Sequence, residues 1–577
     1  MRTTTAAAIA GWMLSALASA KAPQLLSPLT ALPDGESRKF NLEVTWGNSA
    51  PDGRSRQMFL INGKYPGPRL EMNQGEEIEV LVTNKSPYNT TIHFHGIEQY
   101  LTPWSDGVPG VTQRFIKPGQ SFLAQWTATQ YGSYWYHSHE KGQISDGLYG
   151  AIKIHPKSDV ATPFETISSD AATLAAITKA GRIDCWSADK ITSLLSPAQK
   201  NFLVLANLTN FSPKGCMPAK VFSDVIGKAT KTDISVLPSD IFGDCTATDA
   251  ALEVIKVTQT SCEAQKWLAL DVIGAFSMLT TSFSIDSLSM WVYAVDGEYI
   301  TPQKVQAMSV TNGDRFSLLV QLKTPGDYTV RVASTWQTQV IAGVATIQFK
   351  NAGAKNAGAK QATPTVYIDD AGINKTADVA FFSQKAQKAF PPKPVAKVAD
   401  KTFRLALNLD KNHTYNWALN GTMLPAKLDA AEPFLFAPHP ADFENVTIST
   451  LNGNWVDLIL VTATIPMPPH PIHKHGNKMF LIGQGVGAFN WSSTAEAMAA
   501  IPEQFNLVDP PMRDGFSTIE AIKQPSWMVI RYQASLPGAW ILHCHIESHM
   551  LGGMAMVIQD GINAWPLTPV EYSSFNA

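Results

Sequence analysis

Ten of the thirteen histidines in this 577-residue chain fall into four short clusters, and one cysteine stands between two of them. The clusters are His93-Phe94-His95-Gly96, His137-Ser138-His139, the run His470-Pro471-Ile472-His473-Lys474-His475-Gly476, and His543-Cys544-His545. The last is followed by His549 and, five residues on, by Met554. A single His-x-His carries little information, because alternate residues of any strand share a face. Four clusters, two near each end of the chain, require a fold that brings distant segments to one place. Imidazole and thiolate together suit copper, and two histidines, one cysteine and a weak axial methionine describe a blue electron-transfer site. Met554 also has a plain reading as core packing, being one of 17 methionines.

The pattern around the clusters is that of an all-β protein. Segments such as 77–82, 317–322 and 527–532 read as strands rich in β-branched and aliphatic residues, and glycine and proline recur between them. One shape occurs three times: a glycine turn, an aromatic residue, then strand residues. It appears as Tyr131-Gly132-Ser133-Tyr134-Trp135-Tyr136-His137, as Pro325-Gly326-Asp327-Tyr328-Thr329-Val330-Arg331, and as Pro537-Gly538-Ala539-Trp540-Ile541-Leu542-His543. We read three homologous β-sandwiches, the middle one without histidines. The expected boundaries are an export signal over 1–20, a first domain over 21–156, a second with its connector over 157–395, and a third over 396–577. The repeated Asn-Ala-Gly-Ala-Lys at 351–360 and Pro391-Pro392-Lys393-Pro394 mark the second connection, with a surface loop inside one domain as the alternative.

With these motifs in hand, the chain resembles the multicopper oxidases, and within them the fungal laccase-like enzymes that include spore-pigment oxidases. The resemblance runs from about Asn62-Gly63 to Met556 and implies three cupredoxin-like Greek-key domains with four copper ions. By that resemblance His470, Cys544 and His549 are type 1 ligands with Met554 axial, and His93 with His473 are the type 2 pair. His95, His137 and His545 hold one type 3 copper, and His139, His475 and His543 the other. The implied activity is one-electron oxidation of phenols coupled to four-electron reduction of O2 to water. Strand alternation lets Cys544 face one way while His543 and His545 face the other, so the backbone gives electrons a short path. Asp106 and Glu547 match acidic positions that the family uses to supply protons, orientation of ligands being the other reading. Asp296 is the candidate for a substrate carboxylate, though Asp296-Gly297 also reads as an ordinary turn. Departures from the family pattern are Ser548 for tryptophan, Lys474 for leucine and Asn477 for histidine. They leave the ligands in place and bear on the surroundings of the coppers.

Composition and the chain ends supply the setting. With 45% hydrophobic and 16% charged residues and a net charge of −3, the chain has an ample core and no basic face for nucleic acid. Arg2, the apolar run to Leu17 and Ala18-Ser19-Ala20 read as a secretory signal, with a buried N-terminal helix as the plain alternative. Nothing later approaches the ~18 apolar residues of a membrane span. Sequons at Asn84, Asn89, Asn207, Asn210, Asn374, Asn412, Asn420, Asn445 and Asn490 fit secretion, some of them as chance matches. Cys185, Cys216, Cys245 and Cys262 should form two disulfides in one of three pairings. We expect a secreted monomer acting on small phenols. A ferroxidase is the rival enzyme, and a copper-storage or O2-carrying protein the rival non-enzyme. A carrier has no use for a blue site wired to paired coppers.

Overall fold

The computed structural model describes residues 37–577 apart from 51–54, 141, 183–192, 196–252, 260–265, 277–279, 336–341, 352–362, 370–371, 411–415 and 439–440. The expected signal segment, the four mid-chain cysteines, Asn207, Asn210, Asn412, His413 and His439 lie outside the described residues.

The described strands make six sheets, two per sandwich. The first sandwich runs from Arg38–Ser49 to Tyr149–His155, the second from Ser193–Leu195 to Ala342–Asn351, and the third from Lys401–Leu409 to Ala555–Asp560. Each sheet is antiparallel except for one parallel pair, such as Arg38–Ser49 with Glu77–Asn84 or Lys401–Leu409 with Trp455–Thr462. That shared crossover marks the three as copies of one plan. The glycine-turn motifs fall on equivalent strands. Gly132–His137, Gly326–Ser334 and Gly538–Cys544 each pair antiparallel with the last strand of their sandwich. The connector 363–400 contains no long strand; isolated bridges at Ala307–Phe381 and Ile300–Ala389 lay it along the second sandwich.

Glu77–Asn84 shows the local logic. Ile78, Val80 and Val82 are buried while Glu77, Glu79 and Leu81 are not, so one face is core and the other is wet. Trp455–Thr462 and Ser526–Gln533 do not alternate. Their outer faces are covered by a second apolar layer that includes Ile459, Phe480, Phe489, Trp527 and Val529.

Two neighbouring strands of the third sandwich carry the feature that positions the site. Along Gly538–Cys544, Ala539 and Ile541 pack into the core of the first sandwich, whereas Leu542 and Cys544 point into the core of the third. Along Ala555–Asp560 and the residue before it, Ala555 and Val557 face the first sandwich while Met554, Met556 and Ile558 face the third. The first and third sandwiches therefore share apolar burial through both faces of one sheet. Each fully buried Ile or Val in that seam contributes about 1.5–3 kcal/mol. Among the described residues no helix is long and apolar enough to cross a membrane.

Candidate metal centres

Cys544 ends its strand in the apolar core of the third sandwich, fully buried. Its Sγ lies 3.6 Å from His470 Nδ1 and 3.7 Å from His549 Nδ1, and those two nitrogens are 3.1 Å apart. Trp417 covers both imidazoles, its ring 4.6 Å from His470 and 5.1 Å from His549. Burial pushes the Cys544 thiol up and holds His549 down to about 3. A buried thiol beside two neutral imidazoles gives up its proton to solvent when a metal ion takes the proton's place, so the donor set fits one. Met554 shares this core, and its carbonyl accepts the Cys544 N–H at 3.0 Å.

On the opposite face of the same strand a second group forms. His93–His95 pairs with Gly132–His137 in the first sandwich, placing His93 opposite His137. Pro471–Lys474 pairs with Gly538–Cys544 in the third, placing His473 opposite His543. Eight buried imidazoles meet where these sheets face each other. His95 Nδ1 lies 3.1 Å from His545 Nε2 and 3.4 Å from His137 Nε2. His139, His475 and His543 form another ligand-sized group, and His93 stacks on His475 at 3.8 Å between ring centroids.

The outward nitrogens of this cluster are fixed by backbone. His93 Nδ1 donates to the Asp106 carbonyl at 2.7 Å, His473 Nδ1 to the Asp514 carbonyl at 2.8 Å, and His543 Nδ1 to the Cys544 carbonyl at 3.0 Å. That leaves Nε2 of His93, His139, His473, His475 and His543 buried without a hydrogen-bond partner among the described residues. Unpaired buried nitrogens at one focus are costly unless something binds there, and fixed outward N–H groups are how proteins aim imidazole lone pairs at metals. Burial, the largest influence, holds the imidazoles of His95, His139, His473 and His475 well below their usual range, and that of His543 at about 4. They are neutral ligands at working pH.

Carboxylates frame the cluster. Asp106 Oδ2 accepts from His475 Nδ1 at 2.8 Å, so this one residue ties a histidine of each end sandwich. The next residue must be glycine: Gly107 has φ +87°, and a Cβ there would sit 2.0 Å from the Ile92 carbonyl. Glu547, two residues past His545, takes hydrogen bonds from the Ser145 N–H (3.2 Å) and hydroxyl, and its Oε1 is buried without a partner among the described residues. Burial pushes its carboxyl up to about 7.

Three contributors had no signal in the histidine motifs. Asp514 sits with a carboxylate oxygen 3.4 Å from His95 Nε2 and is gripped by both terminal nitrogens of Arg315, with Nη1 to Oδ1 at 2.7 Å. Asn312 donates to the His545 carbonyl at 3.1 Å. Arg315 and Asn312 belong to the middle sandwich, which thus buttresses the cluster without giving it a ligand. The turn Asn312-Gly313-Asp314-Arg315 is the sequence feature that could have pointed to them.

Asp296 does not stand where a substrate carboxylate would. It is 1% exposed, with Oδ2 held by Arg513 Nε at 2.8 Å and Oδ1 by the Arg315 backbone N–H at 3.0 Å. Two guanidinium neighbours, set against burial, keep its carboxyl below the usual range. The Asp-Gly pair does make a turn, with Asp296 itself at φ +50°. The departures at 474 and 477 are likewise accounted for locally. Lys474 is buried with its ammonium 2.8 Å from Asp560 and 4.5 Å above the Tyr532 ring. Asn477 donates to Ser535 at 2.9 Å. Among the sequons, Asn84 is buried with its side chain bonded to Tyr88 and Ile116 carbonyls, so it is no glycan site, whereas Asn89, Asn374, Asn420, Asn445 and Asn490 are exposed.

A cavity of about 750 Å³ opens between the second and third sandwiches beside the cysteine site. Pro466, Met467, Pro468 and Pro469, which lead directly into His470, form one wall. Thr518, also on the wall, clamps His470 by hydrogen bonds to its N–H and carbonyl, both at 2.9 Å.

A site of one thiol and two imidazoles, joined by a single strand to a cluster of imidazoles, is a donor set that suits copper. Family models described as multicopper oxidase match residues 43–159, 240–354 and 410–563. The chain is 36% identical to the multicopper oxidase GIP1 of Gibberella zeae, over 92% of this chain and 85% of that one. It is 34% identical to the laccase abr2 of Aspergillus fumigatus, over 91% and 95%. Among solved structures it superposes on Fet3p, a multicopper oxidase that functions in iron import, with TM-score 0.67 at 20% identity, covering 93% and 94%. The laccase of Botrytis aclada gives 0.65 at 21% identity, covering 93% and 90%. The chain belongs to the multicopper oxidase family. It is a copper oxidoreductase that uses dioxygen.

Proposed function

We propose that this enzyme is a secreted laccase-type oxidase that takes single electrons from phenols in the cavity beside His470 and reduces O2 to water at the eight-histidine cluster. The observation that carries this reading is the strand Gly538–Cys544, whose Cys544 faces one centre while the adjoining His543 and His545 face the other. Copper bound at these residues supplies one-electron uptake at the cysteine site and four-electron delivery to O2 at the cluster. In the resemblance-based assignment, His470, Cys544, His549 and Met554 hold type 1 copper and His93 with His473 type 2. The type 3 ions go to His95, His137 and His545, and to His139, His475 and His543.

The protein's own part is positioning and proton handling. The wall Pro466–Pro469 presents an apolar face that suits an aromatic ring, and hydroxyls of Ser309, Thr311, Ser517 and Thr518 line the same cavity. Of its two carboxylates, Asp314 is tied to Arg513, and Glu520 is exposed. Glu520 therefore takes over the role expected of Asp296. The exposed end of the cavity and the single free carboxylate favour a phenol over ferrous iron, which needs several oxygen ligands. Oxygen uptake should show kcat/KM for an electron-rich diphenol well above that for ferrous iron at one pH. The reverse order would make the enzyme a ferroxidase.

Four protons are consumed for each O2. Glu547, two residues past His545, and Asp106, bonded to His475, are both buried acids, and we assign them to carrying those protons. Asp106 also orients His475. In stopped-flow experiments, Glu547→Gln and Asp106→Asn should slow reoxidation by O2 by roughly 10²-fold. Reduction of the blue centre by the phenol should change little. Normal reoxidation in both variants would leave them an orienting role only.

A further inference from the structure

The connector between the second and third sandwiches is tied down where it passes the cavity beside His470. Gln306 donates its backbone N–H to the Ala380 carbonyl at 2.8 Å, and its side chain accepts the Ala380 N–H at 2.9 Å. Gln303 holds Ser383 with its side-chain amide, donating to the carbonyl and accepting the N–H at 3.0 Å each. Gln387 then reaches the third sandwich, its amide donating to the Met512 carbonyl at 3.2 Å. Two residues between these ties, Phe382 and Gln384, line the cavity, whereas Ser383 between them is exposed. The ties thus aim two side chains of a segment without strands at one site.

The two side chains offer different chemistry. The Phe382 ring meets Phe316 edge to face, with centroids 5.3 Å apart, and makes an apolar shelf. Gln384 Oε1 accepts from Arg513 Nη1 at 3.4 Å, and the –NH2 of the same amide has no partner among the described residues. That group is a hydrogen-bond donor presented to the cavity. Arg513, the one cation in the described lining, has no charge to spare. Its Nε and Nη2 donate to Asp296 at 2.8 and 3.3 Å, and Nη2 also donates to Asp314. Glu520 adds a negative charge at the exposed end. A carboxylate on a bound donor therefore has nothing to pair with, while a neutral acceptor oxygen has the Gln384 amide.

We propose that Phe382 and Gln384 set the enzyme's specificity, selecting phenols whose tail carries a neutral acceptor oxygen (a ketone, ester or ether) over phenols with a carboxylate or bare hydrocarbon tail. The inference rests on the phenol-oxidase reading above and names the donor that this site takes. The cavity's volume of about 750 Å³ lies toward the upper end of the roughly 300–1,000 Å³ that enclose drug-sized ligands. One aromatic ring on the wall Pro466–Pro469 leaves room for a tail that reaches the connector. The amide meets the tail and not the hydroxyl that gives up the electron, so its contribution appears in KM rather than kcat.

The test uses three donors with one methoxyphenol head, bearing at the para position a saturated propanoate methyl ester, the free propanoate, or a butyl chain. The saturated spacer keeps the potential of the phenol the same in all three. Oxygen uptake by the copper-loaded enzyme, at a pH where the acid tail is ionised, should give the ester the highest kcat/KM. From wild type to Gln384→Leu the ester-to-butyl ratio should fall roughly three- to tenfold, the worth of one neutral hydrogen bond, and through KM. Phe382→Leu should raise KM for both donors, and the exposed Lys385→Ala should keep the wild-type ratio. Calorimetry with the O-methylated ester, which binds but gives no electron, should show Kd rising by the same factor in Gln384→Leu. A butyl or acid donor that outruns the ester in wild type, or an unchanged ratio and Kd in Gln384→Leu, would overturn the proposal. Those outcomes leave phenol turnover intact, whereas wild type that consumes no O2 with any of the three would sink the oxidase reading itself.

Discussion

Cys544→Ser should abolish the blue absorption and lower phenol oxidation by at least about three orders of magnitude, while copper in the histidine cluster is retained. The side chain is fully buried, and its Sγ faces His470 and His549; among the described residues no carboxylate joins that group. A serine hydroxyl is a poor replacement, because it does not ionise to a soft ligand for copper. The loss corresponds to about 4 kcal/mol of activation free energy at ~1.4 kcal/mol per decade. Folding should be little affected, since the substitution removes less than one methyl-sized volume from a core of Leu, Ile and Met. The eight imidazoles lie on the other face of the sheet and keep their hydrogen bonds. Absorption spectra, copper content and oxygen uptake on the same sample check all three parts. Full turnover in this variant would show that electrons do not pass through Cys544.

Arg315→Met should cost about 3–5 kcal/mol of stability and loosen the histidine cluster. Arg315 is fully buried and pairs with Asp514, while its Nη1 also donates to the Gly313 carbonyl at 2.9 Å. It sits where all three sandwiches meet, over the Tyr134 ring of the first and against Asp514 of the third. Removing the guanidinium leaves a buried carboxylate, 3.4 Å from His95 Nε2, with the Lys478 ammonium at 3.7 Å in place of a bidentate partner. Arg531→Met is the control. That arginine is as deeply buried and pairs with Asp457 through Nε at 2.6 Å and Nη2 at 2.7 Å, but inside the third sandwich. Both variants should lower the thermal transition. Only Arg315→Met should lose copper from the cluster, read by copper-to-protein ratio after dialysis.

The strands and the grouping of the histidines were legible in the sequence for one reason: both are written in short-range patterns. His-x-His on a strand fixes a shared face, and the glycine-turn motif at 132, 326 and 538 fixes three equivalent strands. Long-range charge pairing leaves no such pattern. Arg315 and Asp514 are 199 residues apart, and nothing in either neighbourhood announces the other. Asp296 misled because an Asp-Gly turn looks the same whether its carboxylate faces solvent or a buried guanidinium. Lys474 stands where the family pattern has leucine, and Asp560, 86 positions away, gives its ammonium a partner in the core. In Asn84 the short sequon was present, but strand register turned the side chain inward.

Electrons collected one at a time should be delivered four together to O2 across the strand that carries Cys544. Electron stoichiometry tests it most directly. With a phenolic donor in a closed oxygen-electrode cell, the account predicts four donor oxidations for every O2 consumed and no hydrogen peroxide detectable by a peroxidase-coupled assay. Two donor oxidations per O2 with matching peroxide release would contradict it, because the cluster would then be a two-electron centre uncoupled from full reduction to water.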